Sequence, residues 1–162
     1  MKGWIKEMEA QRLLLAILLV HKSNLQVLHW KAAGQNFGDS HVNVAEKYYD
    51  KVEEDIDGVA ERLMMQGGEP LNYMDVIKTL KESNKDLTMV PTDRLYTRKE
   101  VVKVSQSILG DIVNAIIAVL KSDQIANTDE NIGIKSWYES LLESYDLEYR
   151  YLNARRLAAV EE

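Results

Sequence analysis

Cysteine is absent from the 162 residues, and histidine, proline and phenylalanine are scarce, at three, two and one. Without cysteine there is no disulfide framework, zinc knuckle, iron–sulfur cluster or thiol nucleophile. Two prolines and eight glycines punctuate the chain sparsely, so its regular elements should run long. Long hydrophobic runs are also missing. The longest, Leu13 to Val20, has eight residues, far short of the roughly 18 that cross a bilayer, and no small-residue cleavage site follows it. Neither a membrane span nor a secretion signal is expected, which points to a cytoplasmic protein. Positive charge is in deficit, with 20 Lys and Arg against 26 Asp and Glu and a net charge of −6. This balance argues against an electrostatic grip on nucleic acid, which needs a basic face, and suits the handling of cations. What is present, 46% hydrophobic and 28% charged residues, describes a folded chain. Its length suits one domain, residues 1–162, whose core buries roughly 70% of the unfolded surface.

The hydrophobic spacing is helical throughout. Leu13, Leu14, Ile17, Leu18, Leu25 and Leu28 recur at three- and four-residue intervals, predicting a first long helix from about Trp4 to Lys31. A loop with Gly34 and Gly38 follows, after which Asp39 or Ser40 can cap a second helix running to about Met65. Gly67-Gly68-Glu69-Pro70 is the stop signal expected there. A short helix from about Met74 to Glu82 precedes a polar loop with Pro91. Thr97, with Glu100 three residues on, forms a capping box for a third long helix, Arg98 to Lys121. A fourth is predicted over Ile134 to Ala159, after a loop around Asn127 to Glu130. Alternating β-branched runs and Asn-Gly hairpin signals are lacking, so strands are not expected. The reading is an all-α four-helix bundle. Its connection between helices two and three, about 30 residues with a short helix inside, suits a crossover better than a hairpin.

The second helix carries the most unusual charge pattern. At 100° per residue, Glu46, Asp50, Glu53, Asp57 and Glu61 fall within about 80° of one another as one carboxylate stripe. Like charges one turn apart repel by a few tenths of a kcal/mol per pair, and only Lys47, Lys51 and Arg62 lie nearby. A bound hard or borderline cation would offset that cost, because carboxylate and imidazole are the usual ligands of Fe, Mn and Mg. A solvated acidic face is the competing interpretation. The three histidines are His21 and His29 on the first helix and His41 at the start of the second. His21 lies about 80° around the helix from His29 and reads as a surface or packing residue.

A bundle that builds a di-iron centre inside one chain needs inward Glu on two helices and two Glu-x-x-His motifs. No Glu-x-x-His occurs here, and the third long helix offers only Glu100 and Asp111 among apolar residues. A centre within one bundle is therefore not expected. A centre sharing ligands between neighbouring subunits would instead place the acidic stripe at an interface. On the fourth helix Glu148 sits among Trp137, Leu141, Tyr145 and Leu152, suited to pairing with an arginine at an interface, to lining a channel, or to a partly exposed edge.

Leu28-His29-Trp30, then Gly34, Asn36-Phe37 and His41, then Asp57-Gly58-Val59-Ala60-Glu61-Arg62, then Gly67-Gly68-Glu69-Pro70 together resemble the Dps family of mini-ferritins. That family's pattern runs HW, G-x-NF, H, D-x-x-AER and GG-x-P in this order. The match covers roughly residues 28 to 82. The resemblance implies a ferritin-like four-helix protomer that assembles into a hollow dodecamer. It also implies oxidation of Fe(II) with hydrogen peroxide or oxygen at di-iron centres between two-fold-related subunits, and storage of the ferric mineral inside. On this resemblance His29 matches the histidine ligand of one subunit, and Asp57 and Glu61 the carboxylate pair of the other. Trp30 matches the family's tryptophan, either a radical trap beside the centre or ordinary interface packing.

One departure concerns the register of helix two. The family places a carboxylate four residues after its second histidine and its metal-binding aspartate eleven beyond that. Counting forward from His41 reaches Ala45, whereas counting back from Asp57 reaches Glu46, so the chain holds one extra residue. Either a π-bulge absorbs it and keeps both His41 and Glu46 in the site, or His41 is turned about 140° from Glu46 and is no ligand. Glu46 ranks above His41 as the further ligand. A cage whose centre has degenerated is the alternative that the extra residue suggests. A DNA-compacting protein is disfavoured by the charge balance and by the lack of a basic tail at either end, Met1-Lys2-Gly3 or Ala158 to Glu162. Arg155 and Arg156 are expected in salt bridges or subunit contacts.

Overall fold

The computed structural model describes residues 8–125 and 129–161; the expected helix start at Trp4 and part of the loop around Asn127 lie outside the described residues. Helix α1 is Glu9–Lys31. Helix α2 runs without a break through Phe37–Asp39, a π-helical segment Ser40–Glu46 and Lys47–Met65. The short helix α3 is Tyr73–Ser83, and α4 is Arg98–Lys121. Helix α5 joins Ile132–Leu147, a second π-helical segment Glu148–Leu152, and Asn153–Glu161. Among the described residues the only β-type pairing is an isolated bridge between Ala32 and Tyr96.

Local chemistry explains most of these boundaries. Thr97 and Glu100 form the expected reciprocal capping box, and Asn72 and Asp75 form another at the start of α3. At the end of α2, Gly67 takes φ +82°, its amide donates to Met64 O, and the Gly68 amide donates to Leu63 O. That pair of bonds is a Schellman motif, which only a residue tolerant of positive φ closes without strain. The start of α2 differs from expectation. Asn36 enters the left-handed region at φ 58° and the helix begins at Phe37, so neither Asp39 nor Ser40 is its cap. Asp39 instead accepts from Asn43 and Arg98, which hold its carboxyl below the usual range, while Ser40 donates to Phe37 O.

Cross-helix contacts fix the topology. Gln11 meets Gln66, Lys22 meets Glu53 and His29 meets His41, so α1 and α2 are antiparallel. Tyr96 and the Lys31–Ala33 backbone bond across the bridge, and Arg98 pairs with Asp39. Helix α4 therefore starts beside the start of α2 and runs parallel to it. The crossover between α2 and α4 must span the bundle end to end, the up-down-down-up path of ferritin-like bundles. Leu14, Leu18, Leu25 and Leu28 of α1, Tyr48, Val52 and Leu63 of α2, Ile108 and Ile112 of α4, and Tyr138 and Tyr145 of α5 share one buried cluster. Although no apolar run exceeds eight residues, α1 and α4 are long and apolar enough on average to cross a bilayer. Half of each such window is buried inside the protein, as core helices require.

Candidate metal centre

A turn between α1 and α2, with Gly34 at φ 88° and Asn36 at φ 58°, folds the chain back so that His29 and His41 face each other. Their rings stack with centroids 3.8 Å apart and planes 12° from parallel. His29 Nδ1 lies 3.1 Å from the His41 carbonyl oxygen, and His41 Nδ1 lies 2.6 Å from the His29 carbonyl oxygen. A carbonyl only accepts, so each Nδ1 is the protonated donor, and in the neutral ring the lone pair falls on Nε2. This is how metal-ligating histidines are oriented, the far nitrogen fixed by backbone and the near one presented to a cation. Among the described residues no group bonds to either Nε2.

The extra residue in helix two has a structural counterpart. Ser40–Glu46 is π-helical, with the Lys47 amide reaching back five residues to Val42 O. A widened turn at this point brings residues five apart, such as His41 and Glu46, back towards one face. Glu46 is half-buried and has no hydrogen bond or ion pair among the described residues.

Asp57 and Glu61 lie one turn apart on the regular part of α2, both exposed. Glu61 has a single loose ionic contact, Arg62 Nη1 at 3.7 Å; Asp57 has no ion pair at contact distance among the described residues and feels the longer-range charge of Lys22. They are far from the histidines of their own chain. Lys22 and Glu53 are level at 3.0 Å; from there His29 is seven residues up α1 and Asp57 four residues down α2. At 1.5 Å per residue the axial separation is about 16 Å. Among the described residues no group of three or more His, Asp or Glu side chains gathers to hold a metal. Large apolar side chains flank both halves. Trp30, Phe37 and Val42 are exposed beside the histidines, and Met64, Met65, Tyr73 and Met74 beyond the carboxylates.

No family model matches the chain. A curated relative, the DNA protection during starvation protein of Porphyromonas gingivalis, is 33% identical over 130 residues, covering 80% of this chain and 79% of the relative. The chain belongs to the Dps family. Solved structures agree on the fold. Antigen TpF1 of Treponema pallidum superposes with a TM-score of 0.76 at 19% identity, covering 96% of this chain and 94% of that one. A double histidine-to-glycine variant of Listeria innocua Dps gives 0.77 at 18% over 94% of each chain. Dps of Thermosynechococcus elongatus gives 0.74 at 22%, over 94% and 90%.

Two residues of this Dps protein sit differently from the sequence reading. His21 is fully buried, so its packing role is the one observed and its surface role is not. Its Nε2 donates to Asp111 Oδ2 at 2.9 Å, and its Nδ1 accepts from Asn24 at 3.2 Å. Glu148 is also buried, held by Lys47 at 2.7 Å, by the Tyr48 hydroxyl at 2.9 Å and by Arg156 at 3.8 Å, all within one chain. Burial and the neighbouring Glu148 push the Tyr48 phenol well above its usual range, so it stays a donor. The second π-segment, which starts at Glu148, had no sequence signal. Its Tyr149 carbonyl is satisfied by Gln106 at 2.8 Å.

Proposed function

We propose that this protein is an iron-storing mini-ferritin, one ferritin-like domain per chain. It oxidises Fe(II) with hydrogen peroxide or oxygen at inter-subunit di-iron centres and keeps the ferric product inside a dodecameric cage in the cytoplasm. The observation that carries the reading is the split site. Two histidines with both Nδ1 atoms committed present Nε2 atoms that are bare among the described residues, yet the partner-poor carboxylates Asp57 and Glu61 lie about 16 and 22 Å along the bundle from His29. Two copies related by a two-fold axis bring the histidine end of one against the carboxylate end of the other, twice per dimer. The flanking exposed apolar residues are what such an interface would cover.

The chemistry follows from the donor set. Iron is the substrate here. His29 and His41 would bind it from one subunit, with Glu46 as a further donor, and Asp57 and Glu61 from the other. Carboxylates bind the harder, more highly charged Fe(III) better than Fe(II), so the site favours oxidation. The balance is two Fe(II) and one hydrogen peroxide with two protons giving two Fe(III) and two waters. Both electrons reach the peroxide together, and no hydroxyl radical is left over. The π-segment accounts for the extra residue that suggested a degenerate site. The relative's name speaks of protecting DNA; for this chain, with its net charge of −6, protection proceeds by removing iron and peroxide. Tight DNA binding is not expected, and a gel shift at moderate salt checks this.

The test mixes two inactive variants. Asp57→Ala/Glu61→Ala and His29→Gly/His41→Gly protein should each oxidise Fe(II) with peroxide at the uncatalysed rate. Co-assembled, they restore one intact centre in every mixed dimer, so activity returns. Cages that contain both variants and stay inactive would refute the shared centre.

A further inference from the structure

The carboxylate half of the site carries a cation of its own, held more firmly than its surface position requires. Gly58, between Asp57 and Glu61, is a closely packed contact. A Cβ there would meet Trp137 Cζ2 at 2.4 Å and Cη2 at 2.9 Å, so the indole of α5 rests on the α2 backbone. The same indole lies under the Arg62 guanidinium, 4.1 Å from ring centroid to Cζ. Arg62 Nη1 donates to the Gly58 carbonyl at 3.2 Å and stands 3.7 Å from Glu61 Oε2. Trp137 is itself braced edge-on by Tyr138, at 5.1 Å, whose hydroxyl donates to buried Gln11. Arg62 is half-buried, and an arginine free in solution loses rotamer entropy when held in one position. Here the stack and the carbonyl have already immobilised it.

We infer that Arg62 is a positioning residue, acting through Glu61 as a fixed counter-charge that weakens the hold of the carboxylate half on divalent cations. This rests on the split-centre reading above. The benefit is turnover. A site that must pass its oxidised product on to a mineral cannot bind every cation as tightly as four or five bare ligands would. Even with the screening of bulk water, a unit charge a few ångströms from a dication changes its binding by about tenfold. Gly58 and Trp137 are then the mounting for that charge, which explains why a glycine sits in the middle of a helix where it costs about 1 kcal/mol relative to alanine.

Cobalt(II), which does not turn over, is the probe, titrated calorimetrically into assembled cages. Arg62→Gln should bind it about tenfold more tightly than wild type, and Arg62→Lys, which keeps the charge, within about threefold of wild type. Arg62→Met, which keeps an apolar contact with Trp137, replaces Arg62→Gln if that variant fails to assemble, with the same expected tightening. Unchanged or weaker binding in the neutral variant overturns the inference. His29→Gly/His41→Gly separates this from failure of the underlying reading. If deleting the histidines leaves cobalt binding intact, the split centre is wrong, whatever Arg62 does.

Discussion

Two histidines on α1, His21 and His29, show how one residue type serves opposite ends. His29 stacks on His41, and both Nδ1 atoms are given to backbone carbonyls while both Nε2 atoms are bare among the described residues. His21, two turns earlier, is fully buried and spends both nitrogens. Nε2 donates to Asp111, Nδ1 accepts from Asn24, and Asp111 also accepts from the Thr88 amide. Asn24 donates in turn to Thr88 O, so the network rivets the crossover to α1 and α4. The tautomers are opposite, and so are the consequences. A histidine whose second nitrogen is anchored to main chain is prepared for a cation. One whose two nitrogens are both satisfied inside the protein has nothing left to offer and serves stability.

The strongest way to break this comparison is to exchange the phenotypes. Replacing His29 and His41 by glycine should abolish catalysed Fe(II) oxidation, a loss of about 100-fold or more, while the protein stays folded with a thermal midpoint lowered only by the roughly 1 kcal/mol that each helical glycine costs. Stopped-flow absorbance of Fe(III) formation and a melting curve on the same sample decide it. The next effect in size is the converse. His21→Ala leaves Asp111 and Asn24 short of partners in a buried setting and opens a cavity, for a cost of about 3 kcal/mol in denaturant unfolding. Cobalt affinity should stay as in wild type. If His21→Ala weakened cobalt binding while the folded cage persisted, the buried pair would belong to the site and the distinction drawn here would fail.

That distinction was only half legible in the sequence. His29 could be matched to a family motif because it heads a run of rare residues, from His29 to Pro70, whose order has meaning, and Thr97, Glu100, Gly67 and Gly68 announce their helix ends by local chemistry. His21 could not be placed. Whether a position 80° around α1 is surface or core depends on where the residues near Thr88 fall, and they are more than 60 residues away along the chain. Glu148 was ambiguous for the same reason, since Lys47 and Tyr48 reach it across the bundle. The register of α2 lies between these cases. Counting residues exposed one too many, and two geometries could absorb it; only the backbone path shows the π-segment at Ser40–Glu46. The reciprocal His29–His41 bonds had a faint signal, two histidines twelve apart around a loop with two glycines, too common a pattern to read alone.

The smallest expected effect sharpens the comparison through pH. Burial by itself would raise the Asp111 carboxyl, but the His21 N–H and the Thr88 amide outweigh it and hold the carboxyl below its usual range. A carboxyl depressed on folding contributes stability that is fully present above its unfolded pKa of about 3.9 and is lost as pH falls through the folded value. The wild-type protein should therefore lose stability as acid is added below about pH 4, and Asp111→Asn should flatten that part of the curve. The asparagine can still accept from His21 and Thr88 through one oxygen, so at neutral pH its cost should be about 1 kcal/mol, the worth of exchanging a charged acceptor for a neutral one. Removing His29 and His41 should leave the acid limb as it was, because among the described residues both bond backbone carbonyls and neither a carboxylate. Urea unfolding at a series of pH values measures all three proteins on one scale. An acid limb that flattens in the His29→Gly/His41→Gly protein, or persists unchanged in Asp111→Asn, would show that the folded-state charge coupling does not lie in the His21–Asp111 pair.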